Sequence, residues 1–141
     1  MNVLEIPFVK KVGVTKNNNA ELELAFKEDS HNHLQTMHAS AQFTLAETAS
    51  GEFLQTLFPD LVGKVIPVLR DASIKFKKPA VKDIVAYPTI SNEGRDKFNT
   101  RFAKKGRASI SVDVTVKDIE GTITCSARYN WFVQNTENLA S

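Results

Sequence analysis

One run in this chain is built for a long helix, and it is the only such run. It opens near Ala39 or Ser40 and continues through Phe53, Leu54 and Leu57. It halts at Phe58-Pro59-Asp60, because proline removes a backbone donor and clashes with the preceding turn. The other periodic segments repeat every second residue, the spacing of half-exposed strands. A single apolar-striped helix can bury its stripe among about six strands only if the sheet wraps around it. The sequence therefore predicts an α+β fold, with one long central helix wrapped by an antiparallel sheet of about six strands. At 141 residues the chain is expected to form one domain, 1–141, large enough to bury a real core.

In chain order, residues 1–8 place Leu4, Ile6 and Phe8 around Pro7 and predict a short helical turn or arm against the body. Lys10 to Thr15 reads as a strand, and Asn17-Asn18-Asn19 as a turn. Glu21 to Phe26 alternates and returns as the second strand of a hairpin. After the helix, a loosely bounded strand starts between Val62 and Leu69. In Arg70 to Ala80, Ile74 and Phe76 alternate with Lys75 and Lys77 until Pro79 ends the pattern. Asp83 to Ile90 forms another strand, with a turn at Ser91-Asn92-Glu93-Gly94. Arg95 to Arg107, with six basic residues in thirteen, reads as a loop leading into a strand. Ser109 to Val116 and Thr122 to Val133 alternate most clearly and are joined by a turn at Asp118-Ile119-Glu120-Gly121.

The chemistry concentrates in and before the helix. With a start near Ala39, residues Ser40, Thr44, Glu47 and Gly51 fall along one stripe, while Ala46, Ala49, Phe53 and Leu57 fall on another suited to packing on a sheet. The first-turn N–H groups of Ala39 and Ser40 carry partial positive charge and can hold a carbonyl oxygen that is becoming negative. Small residues there admit a ligand close to the backbone. About two turns on, a half-buried carboxylate at Glu47 has the character of a general base or nucleophile. Together these parts suit acyl transfer to water. The competing reading is a Glu on the solvated face of an amphipathic helix and a His38 that merely caps the helix start.

The run Asn32-x-x-x-Thr36-x-His38-Ala39-x-Ala41-x-Phe43-x-Leu45-Ala46-Glu47-x-Ala49-Ser50-Gly51 resembles the central-helix motif of hotdog-fold acyl-CoA thioesterases. It is nearest the phenylacetyl-CoA thioesterase type and the related thioesterase-like group. The resemblance extends from about Lys10 to Val133. It implies that Glu47 activates water or attacks the thioester, that the Ala39 N–H polarises its carbonyl, and that Asn32 and His38 position substrate or water. Ser40 and Gly51 would border the bound substrate. The family usually has Gly where Gln35 stands, and often Gly-Gly where Ala39-Ser40 stands. Lys77, Lys78, Arg101, Lys104, Lys105 and Arg107 become candidates for the phosphates of coenzyme A, against the plainer reading of solvated faces. The resemblance also implies a homodimer with a continuous sheet, in which the helix acid of one chain faces residues of the other, and dimers of dimers are open. Coenzyme A would enter only as part of the substrate, with no resident cofactor.

Two other functions fit the same residues. His33 and Glu47 lie fourteen apart, the spacing of hotdog hydratases and dehydratases, but Leu34-Gln35-Thr36-Met37 lacks the Pro- and Gly-rich segment of those enzymes. A non-catalytic acyl-CoA binding protein would keep the fold with a structural Glu47. A net charge of +2 and no nucleic-acid motif argue against a polyelectrolyte partner, despite the basic run. Cys125, the single cysteine, excludes an internal disulfide and reads as a buried strand residue in a reducing compartment. His31, His33 and His38 lack a fourth ligand, so no metal is expected. No apolar run reaches bilayer length and no signal-peptide pattern opens the chain, so the expected location is cytoplasmic, with no membrane partner. The acyl pocket is expected among Phe43, Phe53, Leu54, Phe58, Phe98 and Phe102.

Overall fold

The central helix forms where the small and apolar residues predict it. In the computed structural model, which describes residues 1–139, α2 runs Ala39–Leu57, with His38 as its N-cap and Phe58 as its C-cap. Leu45, Ala46 and Ala49 are buried along it. The two alanines let the helix axis approach the sheet closely. The sheet supplies the other half of the core through strict alternation: Ala108, Ile110, Val112, Val114 and Val116 on one strand, and Cys125, Ala127, Tyr129 and Val133 on the next, all face the helix and are buried.

Six strands form one sheet: β1 (Thr15–Lys16), β2 (Leu22–Leu24), β3 (Val65–Phe76), β4 (Ile84–Thr89), β5 (Arg107–Asp118) and β6 (Ile123–Asn135). Their order is β1-β2-β4-β5-β6-β3, with every pair antiparallel. The expected strand count and wrapped helix are both found. The uncertain region after α2 proves to be one continuous strand, β3, with a bulge between Leu69 and Asp71. The bulge lets Leu69 and Ala72 face the same side, so the alternation of the two halves joins up. β3 pairs only with β6 and leaves its other edge open. Pro67, which cannot donate a ladder hydrogen bond, is tolerated on such an edge.

Two segments differ from their sequence reading. Lys10 to Thr15 is not a strand: Pro7–Val12 is a helix, α1, preceded by a 3-10 turn at Val3–Glu5. Pro7 supplies the fixed φ of a first helical residue, and Gly13 ends the helix with φ +97°, a left-handed conformation that costs glycine little. Only Thr15–Lys16 remains as strand, paired with Leu22–Leu24. The basic run is likewise not a loop. Asn92–Lys105 forms α3, capped by Ser91, whose Oγ accepts from the Gly94 N–H, and carrying Lys104 and Lys105 in its last turn. Phe98 and Phe102, one turn apart, supply the apolar stripe that the charges around them obscured. Among the described residues no helix is long and apolar enough to cross a membrane.

Candidate active site

Packing fixes the rotation of α2, and that rotation aims its remaining flank into a cavity of about 600 Å³. With Leu45, Ala46 and Ala49 against the sheet, Thr44, Glu47, Thr48 and Gly51 line this cavity with Leu54 and Gln55. The Thr44 and Thr48 hydroxyls donate to the carbonyls of Ser40 and Thr44 (2.9 and 2.6 Å). Their protons are thus committed to the helix, and only lone pairs face the void. Val3, Ile6 and Phe8 of the N-terminal segment, Val65 and Pro67 of β3, and Trp131 and Val133 of β6 complete much of the wall.

Glu47 is the only ionisable side chain among the lining residues. It is half-buried, and its carboxylate makes no hydrogen bond or ion pair with the described residues. Burial without a compensating cation raises its pKa above the usual value of 4.5. A carboxylate so placed is a better base than one in water, and the apolar wall keeps competing charge away.

Two residues of β6 hold the Glu47 turn in place. The Trp131 Nε1–H donates to Ser50 Oγ (2.9 Å), and the Ser50 hydroxyl donates to the Glu47 carbonyl (2.6 Å). The Tyr129 hydroxyl donates to the Phe43 carbonyl (3.0 Å), the group one turn before Glu47. The Phe43 and Tyr129 rings meet edge to face at 5.3 Å. Burial first, then the nearby Cys125 and Glu47 charges, push the Tyr129 pKa up, so the hydroxyl keeps its proton and its role as donor.

Gly51 faces the Trp131 ring, and a Cβ built there would lie 3.5 Å from Cζ2, an ordinary contact. Gly51→Ala should therefore fold and gain up to about 1 kcal/mol of helix propensity. Gly51→Leu should fill the cavity and abolish ligand binding while the far-ultraviolet circular dichroism of the native protein is retained.

The helix N-terminus carries the other expected groups. His38 Nδ1 accepts from the Ser40 N–H (2.9 Å), which places the imidazole proton on Nε2. The Ser40 amide is thereby occupied, and the Ala39 N–H alone in that turn has no partner among the described residues. Asn32 folds the preceding loop: its Oδ1 accepts from the Leu34 and Thr36 N–H groups (2.8 and 3.1 Å), and its Nδ2 donates to Thr36 Oγ1 (2.8 Å). Gln35 sits at φ +58° in this loop, where the resembling family has glycine. Gln35→Gly should stabilise the protein by about 0.5–1 kcal/mol in denaturant titration, the left-handed strain relieved less the added chain entropy. His33 is exposed on the same loop. Among the described residues no three His, Cys, Asp or Glu side chains gather to hold a metal ion.

These groups are not brought together within one chain. Ala39 and Glu47 are eight residues apart, about 12 Å along the helix at 1.5 Å per residue. Neither Asn32, His38, Ala39 nor Ser40 lines the cavity. The basic candidates separate as well. The Lys77 and Lys78 N–H groups donate to the Thr124 carbonyl, beside the N-terminal end of α2, where the Met37 N–H donates to the Ala80 carbonyl (2.8 Å). Arg107 pairs with Gln134, about 30 Å away along β6 at ~3.3 Å per residue. Arg101, Lys104 and Lys105 lie at that far end on α3, whose Phe98 reaches the cavity.

Of the phenylalanines expected in the pocket, Phe58 and Phe98 line it, as does Leu54, whereas Phe43, Phe53 and Phe102 do not. The sequence reading missed Trp131 and the N-terminal segment. Trp131 was within reach, since it shares the inward phase of Tyr129 and Val133. Cys125 is fully buried, and burial lifts its thiol to about 11, so it carries no nucleophilic role.

A long helix held against a six-stranded antiparallel sheet in this order is the hotdog fold, and known structures share it. A Pseudomonas aeruginosa protein of unknown function, named a probable thioesterase, is 23% identical, with 94% of this chain and 91% of that one aligned at a TM-score of 0.80. A Haemophilus influenzae thioesterase is 16% identical over 94% and 86% of the two chains, at 0.71. A Bacillus halodurans protein solved with CoA is 20% identical over 89% and 74%, at 0.70. The chain belongs to the DUF4442 family, a domain of unknown function, whose profile matches residues 5–133. No curated protein matches it.

Proposed function

We propose that the protein hydrolyses acyl-CoA thioesters, and that its active site is completed between two copies of the chain. The observation that carries this is Glu47, a carboxylate without a counter-ion in the wall of an apolar cavity, its pKa raised by burial. Such a group takes a proton from water as the water oxygen bonds to the thioester carbonyl carbon. The carbonyl oxygen becomes an oxyanion and needs a donor. The Ala39 N–H at the positive end of α2 is suited to that task, but within one chain it is too far from Glu47. When the tetrahedral intermediate collapses, the carbon–sulfur bond breaks and the departing thiolate takes the proton back from Glu47. The products are a carboxylic acid and coenzyme A.

The open edge supports the second copy. β3 is twelve residues long, unpaired on one side, with Ile66, Val68 and Phe76 exposed, an edge that invites pairing. Antiparallel pairing of β3 with its equivalent sets Val65 of one chain towards Phe76 of the other. The cavity end of one chain then meets the α2 N-terminal end of its partner, with its Ala39 amide, Lys77 and Lys78. Those lysines would face the phosphates of the coenzyme, and the CoA in the Bacillus halodurans structure supports that choice of carrier. The test is release of free thiol from butanoyl-, decanoyl-, hexadecanoyl- and phenylacetyl-CoA, run beside sedimentation. Release by a dimer supports the proposal. Binding without release sinks the hydrolase and favours an acyl-CoA binding protein.

A further inference from the structure

The N-terminal segment gives this cavity its fourth wall. Val3 and Val9 are buried and anchor it, while Ile6 and the 63% exposed Phe8 line the void between α2 and solvent. The Met1 amino group donates to Gln55 Oε1 (2.9 Å), which ties the segment across the C-terminal half of α2. Gly13, in the left-handed region at the end of α1, marks where the chain turns from this segment into β1. Opposite stand Leu54, Phe98 and Trp131. Glu47 supplies the only ionisable side chain among the lining residues, at the middle of α2. From there towards the α2 C-terminus the lining is almost wholly hydrocarbon or aromatic.

We propose that this chamber holds an unbranched, uncharged acyl tail of medium length, and that residues 3–9 form the wall that gauges it. The inference rests on the thioesterase reading for the position of the thioester at Glu47, and it adds the class of acyl group. A charged or hydroxylated tail would lose its hydration against a wall whose polar groups beyond Glu47 are few, the Gln55 amide oxygen among them already accepting from the Met1 amino group. A methylene is about as large as a water molecule, whose share of the liquid is about 30 Å³. A decanoyl chain thus needs about half of the roughly 600 Å³, and the remainder accommodates its looser packing. Short chains leave most of the apolar wall uncovered and forgo its burial.

The test uses the full chain carrying Glu47→Gln, so that substrates persist, and reads the fluorescence of Trp131, the only tryptophan in the sequence and a wall residue. Straight-chain acyl-CoAs from butanoyl to hexadecanoyl, with phenylacetyl-CoA, are titrated against it. Affinity is expected to rise about fourfold per methylene (0.8 kcal/mol) and to level off near dodecanoyl. Phe8→Ala, at an exposed position where folding is safe, should weaken binding by a factor that grows with chain length. Ile6→Phe, which narrows the chamber without adding a second tryptophan, should move the plateau to shorter chains. A flat chain-length profile, or one that both variants leave unaltered, overturns the proposal. A chain-length profile that shifts as expected, without thiol release by the native protein, keeps the chamber and sinks only the hydrolysis. Thiol release with a profile indifferent to both variants does the reverse.

Discussion

Glu47→Gln is expected to lower thioester turnover by about a hundredfold or more, with fold and assembly unchanged. General-base catalysis contributes about 10²–10⁴-fold, and the amide is nearly isosteric but cannot take a proton. Glu47→Ala should lose as much, and both variants should lower kcat more than they raise KM, because the carboxylate acts on the attacking water. The native pH profile should show an acidic limb set above the usual glutamate value of 4.5, since burial raises the Glu47 pKa. The same shift has a stability sign. A carboxyl whose folded pKa is raised favours the folded state below its unfolded pKa, and that contribution is lost as pH rises through the folded pKa. Above that window the ionised Glu47 opposes folding, so Glu47→Gln should flatten the pH dependence of stability between the two pKa values. Denaturant titrations at several pH values measure this. Equal turnover in native and Gln protein would remove Glu47 from the chemistry.

Ser50→Ala is expected to destabilise the protein by about 1–3 kcal/mol, the cost of leaving a shielded donor without its acceptor. Ser50 is fully buried and receives the Trp131 Nε1–H. Trp131→Phe removes the donor as well, so the double variant should cost less than the sum of the two single ones, a coupling that a double-mutant cycle reads directly. Activity should separate the roles further. Ser50 does not touch substrate in this arrangement but bonds to the Glu47 carbonyl, so it is a positioning residue. Its loss should lower kcat by about tenfold and leave KM nearly unchanged, the pattern of an interaction realised only in the transition state. Additive stabilities, or a change confined to KM, would discard the clamp.

The central helix was legible because three signals agreed: a small-residue start at Ala39, a stripe at helical spacing and a stop at Pro59. β5 and β6 were legible for the same reason in period two. α3 was hidden because its stripe has only Phe98 and Phe102, and Gly94 with five basic residues imitates a loop. The Ser91 cap and the Lys104-Lys105 finish carried the helical signal instead. The start of α1 was legible as a helical turn around Pro7, whereas Lys10 to Thr15 imitates a strand because Val12 and Val14 alternate and a helix of six residues is too short to show its period. At the site, Glu47, Thr44 and Gly51 followed from one stripe. The cavity did not, because its wall is assembled from the first nine residues, β3 and β6, which are distant in sequence. Asn32 and His38 were named for substrate, and their hydrogen bonds within the chain are those of loop and helix cap. Such bonds depend on backbone geometry that residue spacing does not encode.

Cys125 gives the molecule a gauge of its own opening. It lies near the start of β6, between Val116 of β5 and Phe76 of β3, fully buried, with its thiol lifted to about 11. At neutral pH it is a protonated thiol out of reach of any reagent, and thiolate is the species that reacts. A disulfide dye added to intact protein should therefore report only the coenzyme set free, with no background from the enzyme. Where the dye does label the protein, the core around the start of β6 must have opened. The labelling rate then measures the population of that opened form, and with it the free energy that keeps this part of the core closed.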